Sequence, residues 1–490
     1  MGGAIRRADE LRPAATTIAA DQLNAARYGF HRTQPGRSAK RTFYITQLLA
    51  FAALAAALIW CFATYPGPTG KALHLAALAV FASAIALRFA AAAHVSPLLT
   101  PLAAPARHPV YTILCPLYRE ANVVADLVAA LDRLDYPKHA LDIKLLVEGD
   151  DVDTMAAALA VSGAPHVDVV IVPAAAPRTK PKALNVGLAL ARGEYVVVYD
   201  AEDRPHPAQL SAALAAFERG GERLACAQAP LDIDNGAVSW IARQFAAEYA
   251  IQFHEILPLL ARLKLPLPLG GTSNHFRTDA LKAVGGWDPY NVTEDADLGY
   301  RLARDGYRAD VIGPPTYEEA PIGFAAWLKQ RTRWIKGHMQ TWLVLMRDPP
   351  RTLRELGLAG FLAMQLVLGG GLVGAFVHGP LAGVIVIAAL SPYNLLGATG
   401  LALAVFGYCV AVFSALVATG VSGNLNHTRA ALTMPFYWPL ASIAAGCALF
   451  ELIVRPHHWA KTAHGVSPRA LRRFASPAQP QAAAAAKASR

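Results

Sequence analysis

Tyr195-Val-Val-Val-Tyr-Asp200-Ala-Glu202-Asp203 is an apolar, β-forming run that ends abruptly in carboxylates. A run this short and uniform fits a strand buried on both faces better than one with a wet face. Asp200 and Glu202 lie two residues apart, so in extended backbone they point the same way. Working outward, similar runs occur at 110–115, 143–147, 167–172 and 224–228, with helix-like stretches between them at 121–134, 182–191 and 207–219. Apolar strands alternating with helices predict an α/β fold with a mostly parallel sheet covered on both faces. In such sheets ligands bind beyond the carboxyl ends of the strands.

The other strand ends are therefore informative. The first runs into Pro116-Leu-Tyr118-Arg-Glu120, and the second into Glu148-Gly-Asp150-Asp151-Val-Asp153-Thr154. Carboxylates do not bind phosphate directly, but they hold a hard divalent cation that bridges to phosphate oxygens. Asp200 and Glu202 suit Mg2+ or Mn2+ with a diphosphate. The stretch Arg178-Thr-Lys180-Pro-Lys182-Ala-Leu-Asn185 adds positive charge at a helix start, and Lys182 there can offset diphosphate charge. No GxGxxG and no GxxxxGK[ST] is present, so neither a dinucleotide site nor a P-loop is supported.

The flanks differ from this block. The 490 residues are 54% hydrophobic and 16% charged, and 31 of the 35 acids lie between Glu120 and Glu355. Residues 43–65 and 72–93 are apolar runs long enough to cross the ~30 Å hydrocarbon core. Four further runs are read at 357–378, 380–397, 399–420 and 433–454, with His378-Gly379-Pro380 expected to separate the first two. The first 41 residues carry eight Lys/Arg, and residues 455–490 carry seven with no acid. Six spans put both basic ends and the central block on one, cytoplasmic side of the bilayer. No nucleic-acid motif accompanies the basic ends, so nucleic acid is not an expected partner. The five cysteines form no CxxC pair and imply neither zinc nor a disulfide framework.

Two more clusters lie further along the chain. Gly270-Gly-Thr-Ser-Asn274 precedes Thr293-Glu294-Asp295, where Thr293 is expected to N-cap a helix with Asp295 in its first turn. Gln330-Arg-Thr-Arg333-Trp334 lies in 324–346, whose apolar residues recur at helical spacing, so an amphipathic helix at the membrane surface is expected. Trp327 and Trp342 read there as interfacial anchors.

In this order the clusters resemble the processive family 2 glycosyltransferases, the bacterial exopolysaccharide type akin to cellulose, mixed-linkage glucan and hyaluronan synthases. The carrying motifs are P-x-Y-x-E, the acidic cluster after the second strand, the DxD-like Asp200-Ala-Glu202, Thr293-Glu294-Asp295 and QxxRW. The stretch Arg455-Pro-His-His-Trp459-Ala-Lys461-Thr-Ala-His464-Gly465 also looks like the ending of such chains. The resemblance implies a Rossmann-like GT-A domain inserted between transmembrane helices. The implied layout is a basic cytoplasmic tail (1–42), two spans (43–95), the GT-A domain (100–323), interfacial helices (324–355), about four spans (356–455) and a second basic tail (456–490).

The resemblance also implies roles. Tyr118, Glu120, Glu148, Asp150, Lys182, Asp200 and Arg333 would bind the nucleotide sugar, and Asp200 and Glu202 the Mg2+ or Mn2+. Here Glu stands where the second Asp is usual, and Glu-Gly-Asp-Asp stands where Asp-Asp-Gly is usual. Asp295, with Glu294 and Thr293, would be catalytic, Asp295 as the base of an inverting transfer. Trp334 and Gln330 would meet the acceptor, the indole offering a flat face to a pyranose. The expected enzyme is a β-glycan synthase of the bacterial inner membrane, using a UDP-sugar, foremost UDP-glucose. It would extend a growing polysaccharide, with envelope export proteins as further partners. A non-processive transferase acting on a lipid is the alternative enzyme. A transporter with a cytosolic domain is the alternative of another class, disfavoured because no span carries paired ionisable residues.

Overall fold

The computed structural model describes residues 15–95, 107–390, 397–422, 428–461 and 465. In chain order these form β1 (Thr16–Thr17), α1 (Ala20–Thr33), α2 (Ile45–Thr64), α3 (Pro66–Ala93), β2 (Tyr111–Leu117), α4 (Val124–Leu131), β3 (Leu141–Glu148), α5 (Val152–Val161), β4 (Val167–Val172), α6 (Lys180–Leu190) and β5 (Tyr195–Val198). Then come β6 (Arg204–Pro205), α7 (Gln209–Gly220), β7 (Leu224–Gln228), β8 (Leu231–Ile233), α8 (Trp240–Ile251), α9 (Leu257–Arg262), β9 (Asn274–Arg277), α10 (Thr278–Ala283), α11 (Glu294–Arg304), β10 (Arg308–Val311) and β11 (Thr316–Glu318). The rest is helical: α12 (Phe324–Leu345), α13 (Pro349–Met364), α14 (Gly370–Leu390), α15 (Gly397–Val421), α16 (Thr428–Tyr437) and α17 (Pro439–Val454).

The eight-stranded sheet has the order β1-β4-β3-β2-β5-β9-β7-β10. Only β9 runs antiparallel to its neighbours, β5 and β7. Side chains alternate across it as strand geometry demands. Tyr111, Ile113 and Cys115 of β2 face one core with α4 and α7, while Leu114 faces a second core with α6, α8 and α9. This is the Rossmann-like GT-A architecture, with β6-β11-β8 as a small second sheet.

The helical region docks through that second core, where Ala415 and Ala418 of α15 and Met434 of α16 pack with α8 and α9. Four helices are long and apolar enough to cross a membrane, or five if the bent pair α16–α17 is one span. The expected break at His378-Gly379-Pro380 does not occur: the chain kinks at Gly357 (φ 68°) instead, and the helical run continues from there through Pro380 to Leu390. Pro380 removes the amide that would bond the Phe376 carbonyl. The Ser442 hydroxyl of α17 takes over, donating to the carbonyls of Ala375 (2.7 Å) and Phe376 (3.2 Å), and Gly379 N–H donates to Ser442 Oγ (2.8 Å). A proline is tolerated in an apolar helix when a neighbour re-satisfies the freed carbonyl in this way. Part of the run expected at 380–397 lies outside the described residues.

Two further expectations change. Residues 15–42 are folded onto the α/β domain rather than hanging as a tail. β1 extends the sheet edge at β4, Arg37 pairs with Asp305 (2.7 Å), and Ala39 N–H donates to the buried Asp288 (2.5 Å). Trp327 is no interfacial anchor. It is 1% exposed, and its indole N–H donates to the Tyr437 hydroxyl (2.6 Å). The outermost parts of both basic ends lie outside the described residues.

Candidate active site

The carboxyl ends of β2, β3 and β5 and the starts of α6 and α11 border a cavity of about 1070 Å3. Tyr118, Glu120, Glu148, Asp200, Glu202, Thr293, Glu294, Asp295, Gln330, Arg333 and Trp334 all line it. Asp150 and Lys182 do not. Asp150 pairs with Arg178 at the surface (2.6 Å). Lys182 is fully buried, bonding Glu148 (2.8 Å) and the Ala175 carbonyl (3.1 Å). Burial pushes Glu148 up and Lys182 down, each opposed by the other's charge. The lysine that reaches the acids is Lys180, two residues earlier on the same helix. It pairs with Asp200 and donates to the Gly271 carbonyl (2.7 Å). Burial alone would lower the Lys180 ammonium, but Asp200, Glu294 and Asp295 more than reverse this and hold it charged.

Asp203 lies under Asp200. Its Oδ2 accepts from Asp200 N–H (2.7 Å) and from the Thr272 hydroxyl, and its buried Oδ1 has no partner. Burial pushes Asp203 well above the usual carboxylate range, and Asp200 and Glu202 push it further. Glu318, carried in by β11, is raised by burial and then by these same acids. Among the described residues, no three His, Cys, Asp or Glu side chains converge closely enough to hold a metal unaided. The donor chemistry nevertheless fits a hard cation bound jointly with substrate oxygens: carboxylates crowd one spot, and one of them keeps an unpartnered oxygen.

Thr293 precedes α11 as expected, but its hydroxyl makes no capping bond. The hydroxyl and N–H both turn to Asn291 Oδ1, at 3.4 and 3.0 Å. The side chain packs against Gly337 of α12, where a Cβ would collide with it. Glu294 is buried at 3% exposure and pushed up to about 8 by burial and then by Asp295. Asp295 is the more open of the two. Its Oδ1 accepts from Ala296 N–H (2.7 Å), and a Cβ on Gly271 would lie 3.2 Å from its Oδ2. Burial raises it, while Lys180 and Arg333 pull it back. Across the cleft, Trp334 stacks on Tyr249 (6.1 Å between ring centroids), and the buried Gln330 Oε1 has no partner.

Residues 108–337 match the family described as glycosyltransferase like family 2. The match spans the α/β domain and the first part of α12. The chain is 28% identical over 279 residues to the beta-monoglucosyldiacylglycerol synthase of Synechocystis sp. (56% of this chain, 57% of that one), and 25% identical over 270 residues to its Nostoc sp. counterpart (53% and 56%). It therefore spans little more than half the length of the curated relatives it matches. Among solved structures it is similar to a mannosyltransferase from Pyrobaculum calidifontis in complex with GDP-Man and Mn2+, with 22% identity, a TM-score of 0.47, and coverage of 78% of this chain and 99% of that one.

Several residues of the candidate site carry no motif of their own. Lys180 and Glu318 are two. The segment after α17 supplies others. Gln340 holds the Pro456 carbonyl (3.1 Å), and Lys336 the His458 carbonyl (2.9 Å). Arg333 then lies over the Trp459 ring (4.5 Å), and Lys461 pairs with Glu120. The family-like ending was the available signal, but nothing in it names these partners.

Proposed function

We propose that this protein is an inverting, membrane-bound glycosyltransferase that moves one sugar from a nucleotide diphosphate donor, foremost UDP-glucose, to a lipid acceptor. The expectation of a processive exopolysaccharide synthase yields to the alternative. The relatives reported above are named as synthases of a glucosylated diacylglycerol. The observation that carries the proposal is the continuity of the cavity. From Asp295 and Lys180 it passes without interruption between apolar helices, where Phe81, Ile85, Val367, Ala404 and Ala411 line it. A lipid with its tails among the helices would bring its hydroxyl to the carboxylates.

In this mechanism Asp295 Oδ2 accepts the proton of the acceptor hydroxyl as that oxygen attacks the anomeric carbon. The C1–O bond to the acceptor forms while the bond to the diphosphate breaks, and UDP leaves with the electron pair. Lys180 and Arg333 offset the charge of the diphosphate. Asp200 and Glu202 would hold Mg2+ or Mn2+, whose contribution is further neutralisation of the leaving group. Glu148 and Tyr118 would face the nucleoside. Gln330 and Trp334 would position the acceptor. The domain works on the cytoplasmic side, where nucleotide sugars are made.

The stacked Trp334 and Tyr249 favour a second reading, in which a growing glycan occupies the apolar limb. Product size separates the two. Full-length protein is incubated with radiolabelled UDP-glucose, Mg2+ and dioleoylglycerol. Label in an organic-phase monoglycosyl lipid is expected. Label found only in ethanol-insoluble polymer would overturn the lipid reading.

A further inference from the structure

The apolar limb of the cavity contains charge that the mechanism does not use. Arg88 of α3, His378 of α14, Tyr408 of α15 and Trp438, between α16 and α17, all line it. The Arg88 guanidinium lies 5.0 Å over the Trp438 ring. The His378 and Tyr408 rings pack against the same indole, at 5.2 and 5.7 Å between centroids. Arg88 Nη1 and His378 Nδ1 are both buried without a hydrogen-bond partner.

The nearby acids are bonded to other groups, although the buried Glu255 Oε1 has no partner and its charge, like that of Glu248, favours the Arg88 cation. Glu248 accepts from Arg331 and from the Tyr437 hydroxyl (2.9 Å), and Glu255 accepts from the Ser414 hydroxyl (2.5 Å). Arg88 makes no ion pair among the described residues. A guanidinium among apolar helices without an ion pair is costly, and such groups characteristically face a cavity and mark a substrate pathway. Its five donors match the oxygens of a phosphate.

The position is that of a lipid headgroup. Arg88 is near the carboxyl end of α3, from which the chain enters the α/β domain. Trp438 adjoins Tyr437, which is bonded to Trp327 of α12. The cluster thus sits where the helices meet the domain, in the same cavity as Asp295. The aromatic faces suit a glycerol and acyl stem, while the Arg88 guanidinium suits an anion that diacylglycerol lacks and His378 can add a hydrogen bond.

We propose that Arg88 and His378, floored by Trp438 and Tyr408, form a subsite for the phosphate group of an anionic lipid lodged in the catalytic cavity. This rests on the reading that lipid enters the cavity, and extends it with a place for an anionic lipid beside the hydroxyl-bearing acceptor.

The test compares dioleoylphosphatidic acid with dioleoylglycerol, which share tails and differ in the phosphate. Binding to the full chain in maltoside micelles is read by native mass spectrometry. Wild type should prefer phosphatidic acid, and Arg88→Gln should lower that preference about ten- to hundredfold, the equivalent of one charge-assisted hydrogen bond. Arg88→Lys should keep most of it, and His378→Gln should lose part, so the proposal remains testable if one variant fails to fold. Equal binding of the two lipids by wild type, or an unchanged preference in Arg88→Gln, would overturn it. Displacement of phosphatidic acid by millimolar inorganic phosphate would also overturn it, because the site would then take a free anion. The glycolipid assay is scored separately. Glycolipid made without any phosphatidic acid preference defeats this inference alone, whereas no glycolipid with any lipid defeats the proposed function.

Discussion

Asp295→Asn tests the proposed chemistry with little structural disturbance. Asp295 Oδ1 is held by Ala296 N–H at 2.7 Å, and an amide oxygen can keep that bond. Its other oxygen faces the Gly271 backbone, where a Cβ would approach to 3.2 Å, so an isosteric group is required. The substitution removes the one open carboxylate at the start of α11 and leaves Glu294 buried. A positioned general base contributes about 10²–10⁴-fold, or about 2.7–5.4 kcal/mol at ~1.36 kcal/mol per decade. A loss of that size in kcat is expected, with donor KM changed by no more than a few-fold. Thermal stability should not fall, because burial already disfavours the Asp295 charge. The same burial places the acid limb of the wild-type kcat profile above the ordinary aspartate value of about 3.9. Activity falls as pH drops through that limb, since the base is lost by protonation. Lys180 and Arg333 lower the Asp295 pKa, so Lys180→Met should move the limb to higher pH. The assay is release of UDP coupled to glycolipid formation from pH 5 to 9. More than a tenth of wild-type kcat in a folded Asp295→Asn enzyme would refute the base assignment.

Three further outcomes are expected. Asp288 is pushed up to about 6 by burial, so the folded state binds its proton more tightly than the unfolded chain does. Its contribution is complete below about pH 4 and is lost as pH rises through 6, by about 2–3 kcal/mol; Asp288→Asn should flatten that slope in thermal melts, and an unchanged slope would contradict it. Ser442→Ala strips the partner from the carbonyls freed by Pro380 and should cost about 1–3 kcal/mol, read as a lower apparent Tm in detergent; no change would mean that water or another group serves there. Trp459→Ala removes the face beneath Arg333 and should raise donor KM by about two- to thirtyfold, the equivalent of ~0.5–2 kcal/mol, and an unaltered KM would leave Trp459 outside the site.

The central strands are legible because both their faces are buried, which leaves an unbroken apolar run. The sequence pattern predicts a strand at 195–199, and β5 is Tyr195–Val198. β9 is not legible, although it lies inside the sheet between β5 and β7. Its sequence is Asn274-His-Phe-Arg277, and its histidine and arginine find partners inside the protein, although the buried Asn274 Oδ1 has none. The Tyr111 hydroxyl is 2.7 Å from His275 Nδ1, and Arg277 Nη2 donates to the Phe217 carbonyl (3.1 Å). A strand whose polar side chains find partners in the core leaves no hydropathy signal. The proline at 380 misleads for a related reason, since its rescue comes from Ser442, far along the chain.

The site divides along the same line. Its acids are visible where each follows a strand or opens a helix, because local pattern marks those places. Glu318 has no such mark. β11 pairs parallel with β8 and antiparallel with β6, and those pairings carry Glu318 to Asp200, Glu202 and Asp203 from more than a hundred residues away. Lys180 and Lys182 pose a different difficulty, since both lie in one basic stretch at the same helix start. On a helix two residues differ by about 200° in direction, so only one can face the cleft. Glu148 sits behind the helix and claims Lys182, which leaves Lys180 for Asp200. The choice is fixed by a carboxylate contributed by another strand. Charge in this site is therefore a property of the assembled strand ends, where buried acids that repel one another are held by a lysine and an arginine and leave room for the cationic share of a ligand.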